Sequence, residues 1–123
     1  MVEIERDEES APFFDAANEG ELVIKRCEAC GHFAGPATSV CPACHGRALA
    51  WAIASGRGSL VSWVVIHGRE GATTAGIVEL DEGPWLDARL VDVEATALAV
   101  GRAMVVRFVA AGAEKVPAFT SRG

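Results

Sequence analysis

Alternating apolar and polar positions dominate the chain after residue 47 and predict a series of short β-strands. The predicted strands are rich in branched and aromatic residues, are separated by glycine-containing turns or a longer link, and cover 48–54, 58–67, 74–80, 85–91 and 103–110. In the last of them Met104, Val106 and Phe108 share one face, whereas Arg107 points the other way. This alternation is typical of a strand with one face on a core and the other in solvent.

The fourth and second predicted strands differ in how they alternate. The fourth has one apolar face, formed by Leu86, Ala88 and Leu90. The second contains the run LVSWVVI, 60–66, which is apolar on nearly both faces and predicts a central strand covered on both sides. Five short strands with turns between them fit a small closed barrel. We expect a five-stranded OB-type barrel, while an SH3-like barrel or a small sandwich would give a similar pattern.

The region before the barrel has a different pattern. SAPFFDAANEG, residues 10–20, predicts a short helix with Ser10 as its N-cap and Gly20 as its end. ELVIKR, residues 21–26, predicts a short strand leading into a region rich in glycine, proline and alanine. The chain ends in EKVPAFTSRG, which we read as an extended segment that leaves the barrel. The predicted organisation is an N-terminal segment with its helix, a metal ribbon, and a mainly β barrel with its C-terminal tail, over 1–20, 21–47 and 48–123.

Composition and charge narrow the function classes. Half of the 123 residues are hydrophobic, and the formal net charge is −6 with a pI near 5.0. The 11 basic residues are scattered, which makes nucleic acid an unlikely partner because its binding draws on lysine and arginine contacts to phosphates. No run approaches the roughly 18 apolar residues of a membrane span. The acidic start, MVEIERDEES, lacks the apolar core of a signal peptide, so we expect a cytoplasmic protein without membrane attachment.

All four cysteines fall in two Cys-x-x-Cys pairs, Cys27/Cys30 and Cys41/Cys44, with 10 residues between the pairs. Each pair lets one tight turn present two thiolates to an ion, and two such turns complete a tetrahedron. The spacing therefore predicts a zinc ribbon with one structural Zn²⁺. The residue after such a turn often has a left-handed backbone; glycine fills that place in the first pair and His45 in the second.

Other uses of the cysteines fit the pattern less well. Iron accepts the same four thiolates, so ligand type does not separate it from zinc. A redox dithiol is expected near a βαβ pattern, which this sequence lacks. Disulfides are rare in the cytoplasm, and an open catalytic site would keep only three protein ligands. His32 and His45 are alternative ligands, although exposed loop histidines are the simpler interpretation.

The remaining candidate chemistry is sparse. Asp81 and Glu82 are adjacent carboxylates in a turn, which indicates a solvated turn more than a general acid and base. His67 follows a strand and has no evident orienting partner in the sequence, so the sequence predicts no catalytic residue. The tryptophans at 51, 63 and 85 all lie in predicted strands. Core or rim positions are their simplest interpretation, and the alternative is that one lines a groove for a ligand or partner.

The order of these features resembles one family over nearly the whole chain, from Phe13 to Phe119. The matching stretches are FFDAANEGELVIKRC, the two cysteine pairs, GRGSLVSWVVIH, IVELDEGP and the terminal VPAF. They are similar to small OB-fold proteins with an N-terminal rubredoxin-like zinc ribbon, which act as acyl-CoA-associated accessory subunits. The resemblance assigns metal binding to the four cysteines and no catalytic residue to this chain.

The resemblance implies a hetero-oligomer with a thiolase-like or lipid-transfer-protein-like catalytic subunit. Such complexes make or break C–C bonds in acyl-CoA substrates as thiolases, acyltransferases or aldolases, and the small subunit aids assembly. Other members of the family accompany hot-dog-fold acyl-CoA hydratases, and a single-stranded nucleic-acid-binding OB-fold is a third reading. Contact with the CoA thioester would need a cation for its phosphates and an apolar slot for its arm, for which Arg57 and Trp63 are the candidates.

Overall fold

The computed structural model describes residues 10–122, which form one short α-helix and eight β-strands. In chain order these are α1 (Ala11–Asn18), β1 (Val23–Cys27), β2 (Phe33–Ala34), β3 (Leu49–Ile53), β4 (Arg57–Gly68), β5 (Gly71–Leu80), β6 (Trp85–Leu90), β7 (Ala103–Ala111) and β8 (Glu114–Ser121). A short 3₁₀ turn at Ala95–Ala97 lies between β6 and β7. The predicted mainly β class is confirmed, and the prediction for residues 1–9 lies outside the described residues.

The strands form a small sheet and a barrel. In the sheet, β1 lies between β2 and β3 and is antiparallel to both. The other five strands close a barrel in the order β4-β5-β6-β8-β7, with β7 returning to β4. All barrel pairs are antiparallel except β6 with β8, which meet at Leu90 and Phe119. The predicted five-stranded closed barrel is therefore confirmed.

Two strands differ from the expected membership of the barrel. Residues 48–54 do form a strand, but β3 pairs along its length with β1, from Leu49 opposite Cys27 to Ile53 opposite Val23. The segment expected to leave the barrel forms β8, which pairs with β7 from Glu114 to Ser121. The strand predicted over 48–54 exists but has a different neighbour, because strand propensity reports composition and not pairing. The reading of the C-terminal segment as one that leaves the barrel was wrong, because it pairs with β7.

The inward faces of the barrel and the sheet share one core. Its buried members come from β1, the barrel strands and the links between them: Leu22, Ile24, Ala54, Leu60, Val78, Leu80, Leu90, Leu98, Met104 and Phe119. Met104 is fully buried and Val106 and Phe108 pack against this cluster, as the alternation predicted. Arg107 points outward and pairs with Asp92. Since Leu22 and Ile24 belong to the same cluster, the small sheet is packed onto the barrel.

Strand β4 departs from its predicted environment in its second half. A β-bulge lies between Leu60 and Ser62 and shifts the register with β5. Beyond it Val64 and Ile66 are more than half exposed, so this half is not covered on both sides. The bulge inserts one extra residue, so beyond it the side chains that would have pointed to the core point outward. These branched side chains therefore lie on the outer face.

Helix α1 ends where the sequence predicted and packs against β8. The Ser10 carbonyl accepts from the N–H groups of Phe13 and Phe14, and Gly20 has the left-handed φ of 81° that ends the turn. The Asn18 side-chain oxygen accepts from the Lys115 N–H at 2.8 Å, which ties the helix to β8. With eight residues in α1, no helix among residues 10–122 has the length and apolarity to cross a membrane.

Closure of the barrel depends on a close approach at Gly58, where β4 pairs with both β5 and β7. A Cβ at this position would lie 2.3 Å from the Glu79 carbonyl oxygen and 2.9 Å from a methyl carbon of Val78. We expect Gly58→Ala to lower the free energy of unfolding by about 3 kcal/mol, because overpacking displaces backbone.

Urea denaturation measures this loss, and Gly68→Ala is its matched control. Gly68 lies in the same strand, and its nearest neighbour would be an ordinary 3.7 Å from the new Cβ. The control should change the free energy of unfolding by less than about 0.5 kcal/mol. Equal effects of the two substitutions would show that the approach at Gly58 does not limit closure.

Candidate metal centre

The four cysteine sulfurs converge at one end of the small sheet. The Sγ atoms of Cys27, Cys30, Cys41 and Cys44 all lie within 4.8 Å of one another. Cys27 ends β1, and the second pair comes from the loop between β2 and β3. The Sγ distances from Cys27 to Cys44 and from Cys30 to Cys41 are both 3.6 Å. A tetrahedral zinc ion about 2.3 Å from each sulfur sets the sulfurs about 3.8 Å apart, so this donor set fits one zinc ion.

The two turns that carry the thiols have the same hydrogen bonds. In the first, the Gly31 N–H donates to the Cys27 carbonyl at 2.8 Å and the Cys27 N–H donates to the His32 carbonyl at 2.9 Å. The second repeats both bonds, from His45 to Cys41 and from Cys41 to the glycine that follows His45, each at 2.8 Å. Two equivalent turns facing each other present their sulfurs from opposite sides, as a tetrahedral site requires.

The residue that follows each cysteine turn has the left-handed backbone conformation that the sequence predicted. Gly31 has φ 80° and His45 has φ 63°. A histidine tolerates this conformation better than most side chains, and the hydrogen bond from its N–H to Cys41 holds it there. The predicted departure from glycine at His45 is therefore accommodated without loss of the turn.

The backbone around the sulfurs favours ionised thiols at two positions. The N–H of Cys30 lowers the pKa of Cys27 to about 7 against the effect of desolvation, and the N–H of Cys44 lowers the pKa of Cys41 in the same way. At Cys30 the N–H of His32 also acts to lower the pKa, but desolvation and the neighbouring thiols outweigh it and raise the pKa to about 12. A divalent cation at the centre would supply the charge that stabilises all four thiolates.

A buried lysine supports the ribbon, and the sequence did not reveal it. Lys25 lies on β1, is 7% exposed, and donates from Nζ to the Thr38 carbonyl at 2.8 Å. Its ammonium lies 5.0 Å from the centre of the Trp51 ring, within range of a cation–π contact. Thr38 lies in the loop between the two cysteine pairs, so this bond ties that loop to the sheet. Only the pairing of β1 with β3 brings Lys25 against Trp51.

The histidines and turn carboxylates are not part of the centre. His32, His45 and His67 are exposed, and the cluster of possible metal ligands found among residues 10–122 contains the cysteines alone. Glu82 has a structural contact that the sequence did not indicate. Its Oε2 accepts from the Ser55 N–H at 2.8 Å, which fixes the β5–β6 turn to the link between the sheet and the barrel.

The structure does not bring together the two residues considered for CoA contact. Arg57 begins β4 and is exposed, whereas Trp63 is half-buried and packs against the core beyond the bulge. Six residues along a strand separate them by about 20 Å. Trp63 does line a groove on the barrel with Ser62 and Val64. The assignment of Arg57 and Trp63 to CoA contact stays a prediction.

The chain matches two domains of one protein family. Residues 14–50 match the family described as "ChsH2, rubredoxin-like zinc ribbon domain". Residues 51–109 match the one described as "ChsH2, C-terminal OB-fold domain". The first match contains the four clustered cysteines, and the second covers most of the barrel but ends before β8.

Individual relatives agree with this match. A "Probable enoyl-CoA hydratase alpha subunit" from Thermomonospora curvata is 32% identical over 116 residues, which are 90% of this chain but 36% of that relative. The chain thus spans about a third of the length of this curated relative. A chain of the solved "Ltp2-ChsH2(DUF35) aldolase" superposes with a TM-score of 0.85 and 28% identity, over 97% of this chain and 98% of that one.

A more distant structure shares the fold. A protein of unknown function from the DUF35 family of Sulfolobus solfataricus superposes with a TM-score of 0.66 and 14% identity, over 94% of this chain and 86% of that chain. The zinc-ribbon match and the four convergent thiols are consistent with one structural zinc ion in this chain. Ribbon and barrel together identify the chain as a member of the ChsH2 family of rubredoxin-like zinc-ribbon and OB-fold proteins.

Proposed function

We propose that this chain is a non-catalytic accessory subunit of a thiolase-superfamily complex that makes or breaks a C–C bond in an acyl-CoA. The observation that carries the proposal is the superposition along nearly the full length of both chains with a chain of the "Ltp2-ChsH2(DUF35) aldolase". The name of that aldolase pairs its ChsH2 chain with a second component, Ltp2. An aldolase-type catalytic subunit is therefore the partner we expect for this chain.

The chemistry of the described residues favours docking over catalysis. We assign Cys27, Cys30, Cys41 and Cys44 to the zinc ion, which occupies every thiol of the chain. Glu82 is engaged by the Ser55 N–H, and its neighbour Asp81 is exposed. A reaction at an acyl-CoA needs a nucleophile or base held against an orienting group. In this proposal the partner supplies that group, and the small subunit supplies a rigid surface.

Co-expression with a candidate thiolase-superfamily protein from the same organism tests the proposal. We expect a heteromer that survives size-exclusion chromatography and forms acyl-CoA products that neither chain forms alone. The physical reason is that the catalytic subunit reaches its productive geometry only when docked, and small displacements of reacting groups reduce rates by large factors. Chromatography of the CoA thioesters measures the product.

Each chain assayed alone at the same concentration is the control. Full activity of the large subunit without this chain would contradict the accessory role. Activity of this chain alone would contradict its assignment as non-catalytic. A heteromer that forms but has the activity of the large subunit alone would reduce the role to assembly.

A second candidate partner is an enoyl-CoA hydratase of the hot-dog fold. The observation that favours it is the 32% identity with part of a probable enoyl-CoA hydratase alpha subunit. Both candidates are accessory roles on CoA thioesters, and the reaction separates them. Reversible addition of water to an enoyl-CoA by the heteromer would identify the hydratase, whereas C–C cleavage or formation would identify the thiolase-superfamily enzyme.

A further inference from the structure

The outer face of β4, β5 and β6 collects most of the strongly exposed large hydrophobic side chains among residues 10–122. Five such side chains are more than half exposed, and three of them lie on this face: Val64, Ile66 and Trp85. Trp85 is 59% exposed, and its indole N–H donates to the Glu79 carboxylate at 3.2 Å, which fixes the ring on the surface. Large exposed apolar patches mark interaction sites more often than isolated exposed residues do.

The pairing register of β4, β5 and β6 places these side chains next to one another on a single continuous surface. Val64 lies opposite Ala75, Ser62 lies opposite Ile77, and the neighbouring strand adds Asp87 and Arg89. Because Ser62 and Ala75 are small, they leave a groove of about 570 Å³ along the face. We call the surface formed by Val64, Ile66, Ala75, Ile77 and Trp85 the outer barrel face. An apolar centre with charges of both signs beside it is the composition of a protein interface.

The same surface borders a free strand edge. Strand β4 pairs with β7 only from Arg57 to Ser59, whereas it pairs with β5 up to Gly68. Beyond the bulge, from Ser62 to Gly68, no strand among residues 10–122 pairs with its other edge. An unpaired apolar edge is a template for another chain, and natural proteins protect such edges unless a partner covers them.

The size of the face argues against a second copy of this chain as its occupant. Three strands about 4.8 Å apart and six residues long give a surface of roughly 15 Å by 20 Å, or about 300 Å². A stable interface buries about 800 Å² on each partner. Two flat faces of this size would bury too little on their own. Two copies can either stack these faces or pair their free β4 edges, but not both, because edge pairing places the two faces side by side in one extended sheet. A larger partner can cover the face and the free edge together and so bury more area.

We propose that the outer barrel face and the free edge of β4 dock the catalytic subunit, a proposal that rests on the accessory role above. The partner surface would present apolar side chains to Val64 and Trp85, and opposite charges to Asp87 and Arg89. It would also present an extended segment whose backbone pairs with β4 beyond the bulge.

Two substitutions on the face test the proposal in the co-expressed heteromer. Val64→Lys places a charge in the apolar centre, and lysine is a residue that natural edge strands carry. Trp85→Ala removes the aromatic anchor. Each variant should weaken binding of the catalytic subunit at least about 10-fold, measured as Kd by biolayer interferometry with the catalytic subunit immobilised. Both isolated variants should keep the zinc content and the melting temperature of the parent to within a few degrees.

The matched control is Val100→Lys, the same change at a valine that is 75% exposed outside this face. It should bind the catalytic subunit like the parent. Parental affinity of both Val64→Lys and Trp85→Ala would overturn the docking surface while leaving the accessory role intact. A different result would be that the parent chain also forms a homo-oligomer, which Val64→Lys abolishes while the heteromer is unchanged. That result would assign the face to a second copy of this chain and would also overturn the proposed docking of the catalytic subunit. Failure of the parent to form any heteromer would overturn the accessory role and the surface together.

Discussion

Replacing Cys41 with serine should abolish zinc binding and unfold the small sheet. Cys41 is fully buried, and its sulfur lies 3.6 Å from that of Cys30. Three thiolates and a hydroxyl hold zinc far more weakly than a closed four-sulfur site. Metal binding in such ribbons carries on the order of 10 kcal/mol of coupled folding free energy. A whole domain is stable by only about 5 to 15 kcal/mol, so we expect a loss that the chain does not survive at 37 °C.

The loss should extend beyond the ribbon. Leu22 and Ile24 belong to the same core as the barrel residues, and the Ala54 N–H donates to the Leu22 carbonyl at 2.8 Å. When the sheet that holds them unfolds, these side chains leave the core and expose the barrel residues they cover. We therefore expect Cys41→Ser to lose folding and association with the proposed catalytic subunit together.

Metal analysis by mass spectrometry and thermal melting by circular dichroism measure the two effects of Cys41→Ser. The control is His32→Ala, an exposed position in the first turn whose carbonyl, not its side chain, holds Cys27. It should keep one zinc ion per chain and melt within a few degrees of the parent. A Cys41→Ser chain that stayed folded and assembled, but whose complex lacked activity, would contradict the structural role of the metal.

The metal ribbon was predictable from the sequence because its determinants are local. The spacing within each pair fixes a turn, and two turns with the same hydrogen bonds leave the sulfurs little freedom. Even the unusual residue, His45, was identified from its position after the second pair and has the left-handed backbone expected there. The facing of Met104, Val106 and Phe108 was likewise predictable, because alternation reports which side of a strand is buried.

Features that depend on strand neighbours were not predictable. The sequence predicts a strand over 48–54 but does not indicate that its partner is β1 and not the barrel. The bulge after Leu60 turns over the alternation of β4, so a run that looked buried on both sides exposes Val64 and Ile66. The burial of the Lys25 ammonium against Trp51 also depends on the pairing of β1 with β3. Each of these features is set by long-range register, which a local pattern does not encode.

Replacing Phe119 with alanine should destabilise the barrel more than any other truncation of one side chain in β8. Phe119 is fully buried and lies where β8 meets β6 beside Leu90. Its carbonyl accepts from the Val91 N–H at 2.9 Å, and it lies opposite Val106 on β7. Loss of a buried phenyl ring costs about 3 to 5 kcal/mol, through lost transfer energy and the cavity that remains. The parallel contact that closes the barrel would lose its largest side chain.

Urea denaturation of the zinc-loaded chain measures this loss, and Phe14→Ala is the matched control. Phe14 is half-buried on α1 and lies edge-to-face with Phe13 at 5.4 Å, so its truncation should cost about 1 kcal/mol. Phe119→Ala should keep its zinc below the unfolding transition, unlike Cys41→Ser, because the ribbon's ligands are untouched. An equal cost for the two phenylalanines would mean that β8 does not close the barrel core and that its segment can detach from it, as the sequence pattern first suggested.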